Sequence, residues 1–217
     1  GMSDAQIATS SDAMPGVWEA FIGMWRSGPA FHLVLGVTLT SLIGYALTAF
    51  GPSYLQRSLG FSIQQVAFSV APIAAIVGTI SGIGGGRLAD WAAARWGLHT
   101  QSWMLALLKM LALPFMYLFY LTDSPTVALT AYAFNILFAS SYLGPSFALI
   151  QGLAPVRVRA MWAAVTLLVI NLVGLGLGPL LIGVLSDALR PAYGADSLRW
   201  AMVIMVSLTP WAIFHYW

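Results

Sequence analysis

Lys109 is the charged residue set deepest within an apolar stretch of this chain, and the side chains able to bond a solute are few: Tyr45, Asn135, Ser140, Ser141, Tyr142 and Asn171. An ammonium offers three N–H donors, and hydroxyls and amides both donate and accept. Such a set recognises a polar group, but it breaks no bond. No nucleophile stands beside a base, and no Asp or Glu lies within any apolar stretch, so an acidic proton relay has no place here. His32, His99 and His215 sit at the ends of apolar stretches and read as too scattered to bind a metal, and the chain has no cysteine. Neither a metal nor another cofactor is expected, and enzymatic catalysis is not expected either.

A second constellation concerns packing. Gly78, Gly82 and Gly86 recur every four residues and Asp90 continues that face, with Arg87 and Arg95 beside it. Small residues at this spacing let two helix backbones approach closely in lipid. A carboxylate at the end of the row can pair with an arginine or sit at a helix N-terminus. A contact of that kind breaks and re-forms when two helical bundles rock against each other. The run Asn171-Leu-Val-Gly174-Leu-Gly176-Leu-Gly178-Pro179 allows a close crossing and a kink, and Gly144-Pro145 is a similar break. Its Gly-x-Gly spacing is not a nucleotide fingerprint, which must follow a strand and open a helix.

The elements that position these residues follow from composition. Only 7% of 217 residues are charged, 59% are hydrophobic and the mean hydropathy is +0.84. Soluble domains carry roughly 25% charged residues, so lipid must be the solvent for most of this chain. At roughly 20 apolar residues per crossing, spans are expected at about 31–55, 63–86, 101–121, 126–152, 160–185 and 198–217. The long continuous runs exclude a β-barrel. The expected fold class is an all-α membrane protein with six transmembrane helices.

Arg26, Arg87, Arg95, Arg157 and Arg159 fall on the side of the N-terminus, against Arg57, Arg190 and Arg199 on the other. Five against three predicts a cytoplasmic N-terminus in a cell inner membrane. Residues 15–30 read as a cytoplasmic linker holding an amphipathic interfacial helix, with Trp18, Phe21, Ile22 and Trp25 at helical spacing. Residues 1–14 are polar and are expected to be disordered, with Gly1-Met2 resembling a protease scar. The chain ends inside its last span, which suggests that a C-terminal extension follows. With no basic stripe, nucleic acid is not an expected partner.

Asn135 and Asn171 are expected to face other helices, either as the polar wall of a cavity with Tyr45, Ser141 and Tyr142 or simply as interhelical hydrogen-bonding groups. Lys109 is a functional candidate as an intramembrane charge. The favoured expectation, however, is that its stem snorkels toward the end near Thr100.

Gly86-Arg-Leu-Ala-Asp90 with Arg95, placed in a short loop between the second and third spans, resembles the cytoplasmic loop motif of the major facilitator superfamily. Tyr142–Gln151 followed by Arg157-Val-Arg159-Ala, and Val169–Pro179 with Ser186-Asp187, are similar to the C-terminal half of spinster-like members. The resemblance covers roughly 15–217 and implies helices seven to twelve of a twelve-helix transporter whose halves rock about a central site. It implies lipid-like solutes such as lysophospholipids and sphingoid phosphates. Trp91 stands where the motif carries a basic residue, which implies a weaker latch. The first six helices are absent from the sequence, so Asp90 is expected to lack its docking helix.

The expected function is therefore the C-terminal half of a secondary transporter for an amphipathic solute. Gly78, Gly82, Gly86, Asp90 and Arg95 are assigned to gating and packing. Such a half is expected to be inactive without the other half or a second copy in a parallel homodimer. The rival reading is a six-helix scaffold that binds lipid or a partner without transport.

Overall fold

The computed structural model describes residues 16–217; the expected disordered segment 1–14 lies outside them. A short helix α1 (Val17–Arg26) precedes six crossings. These are α2 (Gly28–Leu59), α3 (Ile63–Trp96), α4 (Thr100–Leu121), the broken pair α5 (Pro125–Ala139) and α6 (Leu143–Leu153), the pair α7 (Arg159–Val169) and α8 (Gly178–Tyr193), and the pair α9 (Ser197–Val206) and α10 (Thr209–Tyr216). No strand occurs among the described residues.

Local chemistry sets the ends. Gly60 at φ +69 closes α2 in the left-handed conformation that suits glycine. Ser62 then caps α3: its hydroxyl accepts from the Gln65 N–H at 3.2 Å, and the Gln65 side chain accepts from the Ser62 N–H at 2.8 Å. Gly97 at φ +96 ends α3, and Gly194 at φ +55 turns the chain between α8 and α9. Because of that turn, the apolar stretch 156–216 is two antiparallel crossings rather than one very long helix.

The second crossing departs from expectation. α3 continues ten residues past the predicted end at 86, and Gly86–Asp90 lies on a helix rather than in a loop. Ala89, Ala92, Ala93 and Ala94 are strong helix formers, and no proline intervenes before Gly97. The fourth crossing breaks at a 3₁₀ turn, Ser140–Tyr142. Pro145 has no N–H for the Ser141 carbonyl four residues back, which loosens that turn. The fifth crossing widens into a π-helix at Ile170–Leu177, just ahead of Pro179.

α2 runs through the middle of the bundle and packs against the π segment, α8, α10, α6 and α9. Two apolar cores lie along it. On the N-terminal side, Met24, Val34, Leu105, Ile150, Trp162 and Tyr216 pack together. On the opposite side, Tyr54, Leu55, Phe119, Tyr120, Ile182 and Met202 do so. Tyr54 donates to the carbonyls of Phe119 and Tyr120 at 3.0 and 3.1 Å. Those carbonyls belong to the last turn of α4, where no intrahelical partner exists.

In α1, Trp18 is exposed and stacks on Phe21, while Met24 and Ala20 are buried in the N-terminal-side core. The helix is thus amphipathic, with its inner face docked on the protein and an aromatic edge left outside.

Candidate functional site

A cavity of about 550 Å³ opens between five of the six crossings. Its polar wall is a stripe on α2, where Thr40, Ser41, Gly44, Tyr45, Thr48 and Gly51 follow one another at helical spacing. α4 contributes Lys109, Met116, Phe119 and Tyr120. The fourth crossing adds Tyr132, Asn135, Ile136, Ala139, Ser140 and Tyr142. Val70 and Ala74 of α3 and Thr209 and Ala212 of α10 complete the lining; the fifth crossing supplies none of it.

Lys109 does not snorkel. Its side chain is 7% exposed, and its ammonium lies 4.5 Å from the centroid of the Tyr142 ring. The nearest oxygen partner is the Ala139 carbonyl, at 3.4 Å. The 3₁₀ turn at 140–142 brings Tyr142 over the lysine and leaves that carbonyl accessible. The Tyr142 hydroxyl in turn meets Ser41 Oγ at 3.1 Å, tying the fourth crossing to α2. Asn135 lines the same space, and its Nδ2 is buried without an acceptor. Thr209 Oγ1 is also buried and unpartnered. A donor-rich corner therefore faces a mostly apolar and aromatic chamber.

Of the five residues expected to line a cavity, Tyr45, Asn135 and Tyr142 do so. Ser141 is buried just behind the lining, against Gly85. Asn171 is exposed on the outside of the bundle, and its amide donates to the Leu167 carbonyl of its own helix at 2.8 Å. The π-helix turns this residue away from the interior, contrary to the expectation that it faces other helices. Ser140, one of the few polar groups within the apolar stretches, also lines it, whereas Thr40, Ser41, Thr48, Tyr132 and Thr209 are not among the expected residues. The polar stripe on α2 is the signal that identifies three of them, Thr40, Ser41 and Thr48.

The glycine row behaves differently from its reading. Gly78 lies beside Ile136, but Gly82 and Gly86 have open space around them. The close approach is instead at Gly85, against Ser141. The buried face of α3 therefore runs through Ser81, Gly85, Ala89 and Ala92, one position round from the expected row. Asp90 is exposed and has no ion pair among the described residues. Arg95 is also exposed and lies 6.0 Å from the Trp96 ring centroid. The histidines are less scattered than expected: His32 and His215 meet, Nδ1 to Nδ1, at 2.8 Å. No cluster of three metal-ligating groups forms among the described residues.

No family model matches the chain. An MFS-type efflux pump of Mycolicibacterium smegmatis is 31% identical over 208 residues, covering 93% of this chain and 47% of the pump. Two crystal structures of a bacterial homologue of the human lysosomal transporter Spinster are similar, both inward-facing. The occupied form matches with a TM-score of 0.74 at 24% identity, over 88% of this chain and 49% of the other. The unoccupied form matches with a TM-score of 0.77 at 25% identity, over 100% and 51%. The chain spans about half the length of the relatives it matches. Its apolar helices make it an integral membrane protein. The chain has the fold of one six-helix half of a major facilitator transporter, and its likeness to the efflux pump and to the Spinster homologues is consistent with the C-terminal half of a spinster-like member.

Proposed function

We propose that this chain is the C-terminal half of a secondary active transporter that moves an amphipathic organic solute by alternating access. The observation that carries this reading is the 550 Å³ cavity, which joins a polar corner at Lys109, Asn135 and Tyr142 to an apolar, aromatic remainder. Ligand sites are commonly of this size and are largely apolar with a few placed polar groups. An amphipathic solute is the occupant such a lining suits.

The poorly covered face of α3 supports a rocking partner. Ile76, Ile80 and Ile83 are exposed there, and Asp90 at its end is unpaired among the described residues. The first half of the fold is the partner that would complete the wall, and docking of Asp90 would latch the two halves on one side. The excess of arginines at the N-terminal side supports a cytoplasmic N-terminus in an inner membrane.

Flux into proteoliposomes tests the reading. The chain alone is expected to move no amphipathic dye, whereas the chain together with a complementary first half is expected to move it. Solute binding without flux in the complete protein would overturn transport and leave a binding scaffold. Flux by the chain alone, from a second copy completing the wall, would overturn the requirement for the first half.

A further inference from the structure

We infer that Lys109 selects an anionic oxygen group on the transported solute, so that the substrate is an amphipathic anion with its charged end at Lys109, Asn135 and Tyr142. The inference deepens the transport reading and rests on it.

The argument begins with unmet donors. A lysine ammonium has three N–H groups and no acceptor. Here the nearest oxygen, the Ala139 carbonyl, is at 3.4 Å, beyond the usual hydrogen-bond range of roughly 2.7–3.2 Å. The Tyr142 ring at 4.5 Å attracts the charge through its face but accepts no strong hydrogen bond. The amide nitrogen of Asn135 is a second buried donor without an acceptor. Both residues line the same cavity, and both lack what a carboxylate, sulfate or phosphate oxygen supplies.

The charge is also unmatched. A buried cation is expected to have a counter-charge. The five described acidic residues all lie elsewhere. Glu19 is on α1, Asp90 and Asp187 are exposed, and Asp123 and Asp196 pair with Arg199 at 2.7 and 3.6 Å. None of them lines the cavity. The counter-charge must therefore arrive with the occupant or from another chain segment, and the unpaired amide beside the lysine favours the occupant. A solute anion would satisfy both residues, while Leu47, Leu55, Met116 and Phe119 would receive its apolar body.

The test measures head-group discrimination separately from transport. The complete product of the gene, in lipid nanodiscs, is titrated with a fluorescent dodecanoic acid and with its primary amide, which has the same label and chain. The acid is expected to bind at least tenfold more tightly than the amide. Lys109→Gln is expected to bring that ratio close to one, and Lys109→Arg to retain it. Asn135→Leu is expected to lower it by a few-fold. Melting temperature and size-exclusion profile confirm that each variant is folded, and a misfolded Lys109→Gln is replaced by Lys109→Met.

An acid-to-amide ratio near one in the unaltered protein would overturn the inference, as it would if a carboxylate from another segment already neutralised Lys109. A ratio unchanged in a folded Lys109→Gln or Lys109→Met variant would also overturn it. Flux is measured on the same samples. Discrimination without flux would count against transport alone, and flux without discrimination against the anionic head group alone.

Discussion

α2 and α3 are nearly the same helix on paper and opposite in the molecule. They have 32 and 34 residues and mean hydropathies of 1.8 and 2.0 over their most apolar stretches. Yet 61% of that stretch is buried within the protein in α2 and only 11% in α3. Hydropathy reports that both avoid water, but lipid tails are as apolar as leucine and do not drive two helices together. Close backbone approach decides which helix is central. A Cβ on Gly178 would lie 2.7 Å from the Leu42 carbonyl of α2, and one on Gly174 would lie 3.3 Å from the Leu42 nitrogen. Along α3, the space beside Gly82, Gly84 and Gly86 is open. One helix is an axis, and the other is an outer wall.

Gly178→Ala against Gly82→Ala is the strongest way to break this contrast. The first forces backbone apart and is expected to cost about 1–3 kcal/mol, as overpacking does. The second meets open space and is expected to cost nothing, or to stabilise by up to about 1 kcal/mol because alanine favours the helix. Thermal unfolding in one detergent compares them, and equal losses would end the distinction between axis and wall.

Gly85→Ala tests the close approach on α3, where an added Cβ would run into the Cβ of Ser141, which is fixed to its backbone. Its expected cost is about 1–3 kcal/mol, as overpacking gives. A loss well below that of Gly178→Ala would show that α3 yields at its closest contact, as a helix held on one side would.

Tyr54→Phe tests how α2 is held to the end of α4. Removing the hydroxyl leaves two buried carbonyls without that donor and is expected to cost about 1–3 kcal/mol, the penalty of an unmet buried acceptor. The matching change on α3, Thr79→Val, removes a hydroxyl that bonds only the Ala75 carbonyl of its own helix and is exposed, so no loss is expected.

Asp90→Asn has the smallest expected effect on stability, within about 0.5 kcal/mol for an exposed site. In the complete protein it is nonetheless expected to slow flux, if the carboxylate docks on a partner half as proposed above. A drop in melting temperature of the chain alone would place its partner within the chain and sink the latch.

Much of this was legible in the residues. The near absence of charge and the lengths of the apolar runs set the solvent, the helical class and the number of crossings. The stretches around Gly86–Asp90, Tyr142–Gln151 and Val169–Pro179 carried the family resemblance, which the relatives bear out. The end of α3 is not legible in its charged motif, which resembles a loop, because the alanines after it extend the helix to Trp96.

Facing was the part that sequence did not contain. A helical repeat says which residues share a face, but a span surrounded by lipid is apolar on every face, so its pattern cannot say which face meets protein. Only the tertiary structure decided that Gly85 rather than Gly82 or Gly86 makes the close contact, and that Asn171 points outward from a π-helix. It also decided that the break ahead of Pro145 sets Tyr142 over Lys109, keeping the ammonium inside the cavity. The physical reason is the same each time: composition chooses the solvent, whereas neighbours brought together from distant parts of the chain choose the surroundings of each side chain.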